Sequence, residues 1–569
     1  MRLLAVLFVI FASASSYCLD REAFTFTKYD LDVHIEPQLQ RLAVRGGLVL
    51  RNDSSAPQKS ASLQISSSLT WRSIHADGKA LQFVSQPYES DIDHTGELSE
   101  AIVSLPGDVA PGGTVELTVG YEGLIGLDAN RLTRVGMSKE SAIHTDWDQI
   151  SSRFSAVRGA GNVVWYPVAM DAANLSESDS LFEALGRWKQ RERNAEMHLS
   201  ITHSEPEGRK AAKLICNGDH GDWAGSASGE GRTDCSMIPA GVNVPTFALA
   251  DYDILSRPAF VIAYLSEHKS NAEKFGQAAE VVTPFVTEWF GAPRDKVQIA
   301  ELFDSSASPY ESGRQLLTPL GDTDPKLLQI AMVHELTHAA FPSSRPWIFE
   351  GLAHFAQAAY REQQVNREAA IDFLGLHGAA MVAAEKAAAA RPKDQTSSDE
   401  SLITSAVDEF YRSKAAYVWW MLRDMVGEES VKKALAAYRT EQDKDPAYLQ
   451  HLLEAQSKRD LQWFFDEWVY HDRGLPDFQV ESVFPRKASQ ENFLVTVTVE
   501  NLGSAGAEVP VRVQFEGGEI TQRVEVRGKA KATLRIATPR APARVVVNDG
   551  SVPESNMSNN DFKVATVVQ

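Results

Sequence analysis

The sequence of 569 residues predicts a multidomain α+β protein, because its local patterns change character twice along the chain. Residues 20–256 and 476–569 alternate apolar and polar side chains between turn-forming segments, which is typical of β-strands. Residues 257–475 instead carry long helical patterns. We therefore predict an N-terminal antiparallel β-domain, a mainly helical central domain and a C-terminal β-sandwich. The length agrees with this division, since domains average roughly 150 residues.

The N-terminal β-domain is predicted from period-two alternation with glycine, proline and asparagine–aspartate breaks between the runs. Two runs show the alternation clearly, with apolar residues at Tyr29, Leu31, Val33 and Ile35, and at Val115, Leu117, Val119 and Tyr121. Strands that follow one another through short turns pair in antiparallel fashion.

The first 19 residues match a secretory signal peptide, so we expect a secreted or periplasmic protein. Arg2 gives a positive start, Leu3 to Phe11 form an apolar stretch too short to span a bilayer, and Ala12-Ser13-Ala14 fits a cleavage site. Lipid attachment at Cys18 is not expected, because the bulky Tyr17 precedes it. No later stretch reaches 18 apolar residues, which predicts a mature chain without a transmembrane segment.

Cys216 and Cys235 flank a segment rich in glycine, aspartate and serine. In an exported protein such a pair is expected to form a disulfide that closes a surface loop, and the alternative is two free thiols. The chain has no C-x-x-C spacing, which argues against a metal site made of cysteines.

The central domain is predicted from several helical stretches. One helix is expected at 271–290 and another at 324–341, where Thr323 or Asp324 can cap the first turn and Pro325 suits the first helical position. An alanine-rich stretch from Arg367 to about Ala390 predicts a third helix. Further helices are expected at 406–425, 429–439 and 461–470.

The C-terminal β-sandwich is predicted to begin after Gly474-Leu475-Pro476, where strand patterns return. Apolar residues alternate with other residues at Phe493, Val495, Val497 and Val499, and at Val509, Val511, Val513 and Phe515. Short strands bounded by turns over about 90 residues are typical of a small sandwich.

The segment His334-Glu335-Leu336-Thr337-His338 is an H-E-x-x-H motif within a predicted helix. Residues four apart lie on one helix face, so both imidazoles can bind one Zn²⁺ at about 2.0–2.1 Å. Glu335 lies one position round the helix and can reach a water molecule at the metal without binding the metal itself. The alternative is that the two histidines are ordinary packed or solvated side chains.

Glu350 is predicted to be the third metal ligand. Pro342 and Pro346 interrupt the helix, and Glu350 falls in the first turn of the next one, so a helix hairpin brings it back against the histidines. Three protein ligands leave one position open, which is the arrangement of a catalytic zinc site. Alternatively, Glu350 is a carboxylate favoured by the helix dipole. His354 is expected to be a core or supporting histidine rather than a ligand.

The metal motif and its surroundings resemble a known family. HELTH followed by WIFEGLAHF is similar to the alanyl-aminopeptidase family of gluzincin zinc metallopeptidases, whose third ligand lies in a W-x-x-E-G-x-A segment. Three other segments resemble family segments in the same order, so that the resemblance covers residues 24 to about 480; they are VVWYPVAMD (163–171), FALADYD (247–253) and DLQWFFDEWVYHDRGLPDF (460–478). The resemblance implies a thermolysin-like fold for the central domain and one zinc ion per chain.

Two further residues acquire roles from the resemblance. Tyr411 begins a segment similar to the family's Y-x-K-G, which implies that its phenol stabilises the oxyanion of the tetrahedral intermediate. Lys414 follows Tyr411 by three residues, where the family has two. Glu311 occupies the place of the family's G-A-M-E-N glutamate, which implies that it binds the free α-amine of the substrate. Only the glutamate of that motif is retained.

The spacing of the ligands also departs from the family. Eleven residues separate His338 from Glu350, where the aminopeptidases have eighteen, and related gluzincin-like peptidases show shorter spacings. A shorter connecting loop preserves the ligands and reshapes the neighbouring wall of the cleft. The chemistry is therefore expected to be kept, with Glu335 as general base, while substrate preference can differ.

The resemblance implies a zinc-dependent peptidase that acts on peptides or proteins, and specifically an aminopeptidase. An endopeptidase with the same chemistry, and a non-catalytic peptide-binding protein on a peptidase scaffold, are the alternatives. A structural zinc would need a fourth histidine or cysteine, for which His354 is the nearby candidate. The formal charge of -20, from 76 carboxylates against 56 lysines and arginines, argues against nucleic acid as a partner. The sequence does not define an oligomeric state.

Overall fold

The computed structural model describes residues 19–177, 180–204, 212–220, 230–376, 378–390, 401–405, 407, 409–488 and 492–564. Residues 1–18 of the predicted signal peptide, Cys18 included, lie outside the described residues. Along the chain, β-sheets come first, a mainly helical part follows, and two packed sheets come last. The predicted fold class is confirmed.

The N-terminal part consists of β-sheets with short helices in the connections. Its elements are β1 (Phe24–Glu36), β2 (Arg41–Asn52), β3 (Gln58–Ser66), β4 (Leu69–Ala76), β5 (Lys79–Ala80), β6 (Phe83–Glu89), β7 (Glu97–Val109), β8 (Thr114–Leu124), α1 (Asn130–Arg134), α2 (Lys139–Thr145), β9 (Phe154–Val157), α3 (Ser180–Glu192), β10 (Glu196–Ser204), β11 (Lys213–Cys216), β12 (Asp219–His220), β13 (Glu230–Met237) and β14 (Phe247–Ala250). The predicted alternation is confirmed in β1, where Tyr29, Leu31, Val33 and Ile35 are buried.

The largest sheet has the strand order β12-β13-β10-β1-β2-β8-β4-β5, and smaller sheets have the orders β3-β7-β6 and β11-β14-β9. Among the described strands of this part, all ladders are antiparallel except that of β1 with β10. This parallel pair was not predicted. Parallel neighbours need a crossover connection, and here it comprises all the elements from β2 to α3.

Cys216 and Cys235 form a disulfide, as predicted. Cys216 ends β11 and Cys235 lies in β13, and both side chains are buried. Because β11 and β13 belong to different sheets, the bond connects two sheets in addition to closing the chain between them.

The central part combines one small sheet with a set of helices. Its elements are β15 (Asp253–Ser256), β16 (Phe260–Tyr264), α4 (Lys269–Phe290), β17 (Val297–Glu301), β18 (Tyr310–Ser312), β19 (Gln315–Thr318), α5 (Pro325–Ala340), α6 (Pro346–Gln364), α7 (Arg367–Gly375), α8 (Gly378–Ala390), a π turn (Glu409–Lys414), α9 (Ala415–Val426), α10 (Glu428–Ala437), α11 (Tyr448–Ser457), α12 (Gln462–Phe465) and a second π turn (Asp466–Tyr470).

The central sheet has the order β15-β16-β17-β19-β18, with β18 at its edge. Strand β15 pairs with β16, so the predicted domain boundary at residue 256/257 falls inside a hairpin. The single helix predicted from Arg367 to about Ala390 is instead two, α7 and α8. The first ends at Gly375, a residue type that favours helix ends over helix interiors. Among the described residues, no helix is long and apolar enough to cross a membrane.

The C-terminal part is a sandwich of two sheets, with strand orders β20-β21-β24 and β23-β22-β25-β26. Its strands are β20 (Phe478–Lys487), β21 (Phe493–Asn501), β22 (Ala507–Phe515), β23 (Gly518–Val526), β24 (Lys531–Thr538), β25 (Pro542–Val547) and β26 (Asp561–Lys563). The sandwich is joined to the helices by a continuous apolar core and by the buried Trp468, whose Nε1 donates to the Gly506 carbonyl at 2.7 Å.

Glu192, at the end of α3, is buried against β1, and its Oε2 accepts a 2.7 Å hydrogen bond from the Tyr29 hydroxyl. Burial raises the pKa of Glu192 from its usual 4.5 to about 8. Its contribution to stability is therefore complete below pH 4.5 and is lost as the pH rises toward 8. The free energy of unfolding falls through this group by at most about 1.4 kcal/mol per pH unit.

We expect Glu192→Gln, which keeps the acceptor and cannot ionise, to unfold at a higher temperature than the wild-type protein near pH 8. The difference should shrink toward pH 5, and thermal unfolding followed by circular dichroism measures it. Glu100→Gln is the matched control, because hydrogen bonds from Arg21, Gln86 and Ser62 outweigh burial and lower the pKa of this buried carboxyl. Its effect should not change over the same range. A pH-independent shift for Glu192→Gln would contradict a buried, protonated carboxyl.

Candidate metal centre

Helix α5 places His334 and His338 on one face. Asp324 caps the helix by accepting a 2.7 Å hydrogen bond from the Lys326 amide, and Pro325 occupies its first turn, as predicted. Both histidines are buried, and their Nε2 atoms lie 3.0 Å apart. The two imidazoles therefore direct their Nε2 atoms at the same point.

Helix α6 packs against α5 and brings Glu350 to the histidines. The connection between the helices is fixed by Arg345, whose Nε donates to Asp443 Oδ2 at 2.7 Å. The Tyr438 hydroxyl donates to the same carboxylate oxygen at 2.6 Å. Because these three side chains are buried, the short connection holds Glu350 in place.

Strand β18 carries Glu311 at the edge of the central sheet, and the N-terminal part holds it on both flanks. On one side, the Ser312 hydroxyl accepts from the Val244 amide at 2.9 Å. On the other side, Trp147 Nε1 donates to the Ser308 carbonyl at 3.0 Å. The backbone position of Glu311 is therefore set jointly by the N-terminal and central parts.

Four side chains that can bind a metal converge in this region. They are Glu311, His334, His338 and Glu350, with one donor atom of each lying within 4.8 Å of all the others. Glu311 Oε1 lies 2.7 Å from His334 Nε2 and 3.2 Å from His338 Nε2. The structure thus brings together all three sequence-predicted ligands, and it adds Glu311, whose role from the family resemblance was in substrate binding.

The electrostatics of the cluster fit a bound cation. Burial, together with the carboxylates of Glu311 and Glu350, raises the pKa of Glu335 well above its usual value. Burial also raises the pKa of Glu311, but the facing imidazoles outweigh this effect and lower that pKa well below its usual value. Glu335 Oε2 and His338 Nδ1 have no hydrogen-bond partner among the described residues. Imidazole and carboxylate donors around one point suit Zn²⁺.

Tyr411 lies in the π turn that precedes α9, and its side chain is buried. The next residue, Arg412, places its Nε 3.2 Å from Glu350 Oε2. This ion pair was not predicted from the sequence. The signal that could have indicated it is the charged Arg412 in a largely apolar helical segment, where a buried cation needs a carboxylate partner. In the same turn the buried Lys414 contacts Glu385 and lies 2.7 Å from Asp472, away from the metal ligands.

His354, one turn after Glu350 on α6, packs edge-on against His334 with ring centroids 4.8 Å apart. Its Nδ1 lies 3.2 Å from Gln357 Oε1. Among the described residues, the cluster of donors that surrounds the metal position includes Glu311 and does not include His354. The His354 ring therefore packs against His334 and lies outside this cluster.

Comparisons with known proteins give no family assignment. No family profile and no curated protein matches the chain. Among solved structures, it is similar to a mutant M1 zinc metallopeptidase of Deinococcus radiodurans bound to a Tyr-Ser-Ala substrate, with 14% identity over 80% of this chain and 96% of that chain and a TM-score of 0.46. The same organism's unmutated M1 zinc metallopeptidase gives 15% identity, 76% and 90% coverage, and a TM-score of 0.45. Because similarity at this level is weak, the function has to be inferred from the site itself.

Gly351, next to Glu350, lets α6 approach α9 closely. A Cβ atom at this position would lie 2.7 Å from the Cβ of Ala415 and 3.2 Å from Cδ1 of Trp419. We expect Gly351→Ala to destabilise the protein by about 1–3 kcal/mol through overpacking, and to weaken zinc binding by displacing Glu350. Urea unfolding and zinc titration measure the two effects.

Gly375→Ala is the control, because a Cβ atom at the end of α7 meets nothing within 4 Å. We expect this variant to bind zinc like the wild-type protein. If Gly351→Ala also binds zinc with unchanged affinity, the close packing of α6 on α9 does not position Glu350.

Proposed function

We propose that the protein is a zinc-dependent peptidase. The observation that supports this function best is the convergence of His334, His338 and Glu350, together with an additional buried carboxyl, Glu335, on the same helix as the two histidines. Three ligands and one separate carboxylate form the set that metal-assisted peptide hydrolysis needs. A purely peptide-binding protein would have no use for Glu335 in this place.

In this proposal His334, His338 and Glu350 hold the metal. Zinc, when bound, lowers the pKa of a water molecule to about 7 and polarises the peptide carbonyl. Glu335 takes a proton from the attacking water and later delivers it to the leaving amine. Burial and the neighbouring carboxylates of Glu311 and Glu350 raise the pKa of Glu335, which favours its acceptance of a proton.

The substrate is proposed to lie in the cleft between the N-terminal part and the central helices. A cavity of about 160 Å³ opens there beside His338, lined by residues of both parts. They include Asn243, Ser312, Gly313, Arg314, Ser343 and Phe349. Clefts between domains are common substrate sites, and this one reaches His338 of the donor cluster.

Two residues are proposed to contact the substrate directly. The phenol of Tyr411 donates a hydrogen bond that stabilises the oxyanion of the tetrahedral intermediate. This role is supported by its place in the turn from which Arg412 reaches Glu350. Glu311 binds the free α-amine, which makes the enzyme an aminopeptidase. Support for this role comes from the side chain's position beside His334 and His338 and from the 28% of it that is exposed.

The enzyme is further proposed to act in an exported compartment. The predicted signal peptide and the disulfide between Cys216 and Cys235 support this location, because disulfides persist in oxidising compartments.

Hydrolysis of amino-acid anilides, and of peptides with free or blocked N-termini, tests the proposed activity. We expect zinc-dependent cleavage of the free-amine substrates. Glu335→Gln should lower kcat by about 100-fold or more while zinc content stays unchanged, because it removes the general base and keeps the ligands. His334→Ala should lose the zinc.

Glu516→Gln makes the same chemical change on the exposed face of the sandwich and should retain full activity. Cleavage of blocked peptides would make the protein an endopeptidase and remove the α-amine role of Glu311. A zinc-loaded wild-type protein that cleaves neither kind of substrate would contradict the peptidase function and favour a peptide-binding protein.

A further inference from the structure

We infer that Glu311 is a fourth zinc ligand in the substrate-free enzyme and that an incoming substrate has to displace it. This inference rests on the proposed zinc site, and it adds a resting state in which the protein itself fills the open position. Glu311 is 23 residues from His334 in the sequence and comes from a strand, whereas the other ligands come from the helix hairpin.

The distances place the Glu311 carboxylate where a metal ligand would lie. Its Oε1 is 2.7 and 3.2 Å from the two Nε2 atoms, which are 3.0 Å from each other. In a tetrahedral zinc site with bonds of about 2.0–2.1 Å, neighbouring donors are about 3.3 Å apart. An expansion by a few tenths of an ångström therefore converts the observed triangle of donors into three corners of a zinc site, and Glu350 supplies the fourth.

The backbone of β18 does not allow Glu311 to withdraw as a whole. Ser312 is held by Val244 and also accepts a 2.8 Å hydrogen bond from Asn217 Nδ2. Ser308 is held by Trp147. The side chain is less constrained than this backbone, and 28% of it is exposed.

The consequence is a site that is closed at rest. Three protein ligands would leave a position for water or substrate, and Glu311 occupies that position. A substrate carbonyl can then reach the metal only after the carboxylate leaves. A substrate with a free α-amine offers the displaced carboxylate a positive charge, so the metal and the amine compete for Glu311. The Glu311 side chain then has two positions. In one it binds zinc, and in the other it binds the α-amine of the substrate.

Zinc affinity, measured by chelator competition on the full-length protein, tests the inference without relying on activity. We expect Glu311→Gln to weaken zinc binding by more than about 100-fold, beyond the roughly 10–100-fold typical of residues that only orient ligands. Glu311→Asp, which keeps a shorter carboxylate, should fall between the wild-type protein and Glu311→Gln. Circular dichroism confirms that each variant is folded.

Glu335→Gln is the matched control, because it removes a carboxylate from the same cluster without removing a ligand. We expect its zinc affinity to fall much less than that of Glu311→Gln. The visible absorption of the Co²⁺-substituted protein, which reports the ligand set, should change in Glu311→Gln and stay the same in Glu335→Gln.

Equal, modest losses of zinc affinity in the two variants, with unchanged Co²⁺ spectra, would overturn the inference and leave Glu311 as a neighbouring charge. If the proposed zinc site itself is wrong, the result is different. In that case His334→Ala would bind zinc as tightly as the wild-type protein.

Discussion

The burial of several carboxyls and two imidazoles around one point is the constraint on which the rest of the structure depends. Glu350 is almost inaccessible and Glu311 is partly so, and both belong to one cluster with His334 and His338. The buried Glu335 adds a third carboxyl whose charge interacts with theirs. Burying like charges together costs several kcal/mol unless a cation or a proton compensates them. Burial and the carboxylates of Glu311 and Glu350 raise the pKa of Glu335, which is the direction expected when carboxyls are buried together. A divalent cation held by the four donors would offset the same cost, so the donor set and the electrostatics both favour a metal site.

The cluster also explains why the N-terminal part and the helices have to be assembled together. The helix hairpin supplies three ligands, and the clamp of Arg345 on Asp443 fixes that hairpin from the central part alone. Within the central sheet, the edge strand that carries Glu311 pairs with β19 on one side. It is positioned by the contacts of Ser312 with Val244 and of Ser308 with Trp147, across the junction with the N-terminal part. The geometry at the metal position therefore depends on how this junction is packed.

The parts of the site that the sequence predicts are those governed by local geometry. The i, i+4 spacing of His334 and His338, the cap at Asp324 and the return of Glu350 after a proline break all follow from helix geometry over fewer than 30 residues. Glu311 could be singled out but not placed, because its distance from the histidines depends on strand pairing and on contacts with residues far away in the sequence.

Two other features were hidden from the sequence for physical reasons. Arg412 reaches Glu350 from a π turn, in which the wider helical turn shifts the side-chain register that helix periodicity assumes. The parallel pairing of β1 with β10 joins strands that are more than 150 residues apart, so no local pattern can reveal it. The alternation within β1 was nevertheless sufficient to predict which side chains are buried, since that depends on the strand itself.

The short connection between His338 and Glu350 links the conserved chemistry of such a site to its selectivity. Eleven residues lie between these two side chains, and the contact of Arg345 with Asp443 fixes the connection that they form. Pro342, Ser343 and Ser344 of this connection line the cavity beside His338 directly. Small side chains therefore form this part of the cavity wall. The wall of the cleft can therefore change while the metal ligands stay fixed, and differences in substrate preference are expected to arise on this side of the site.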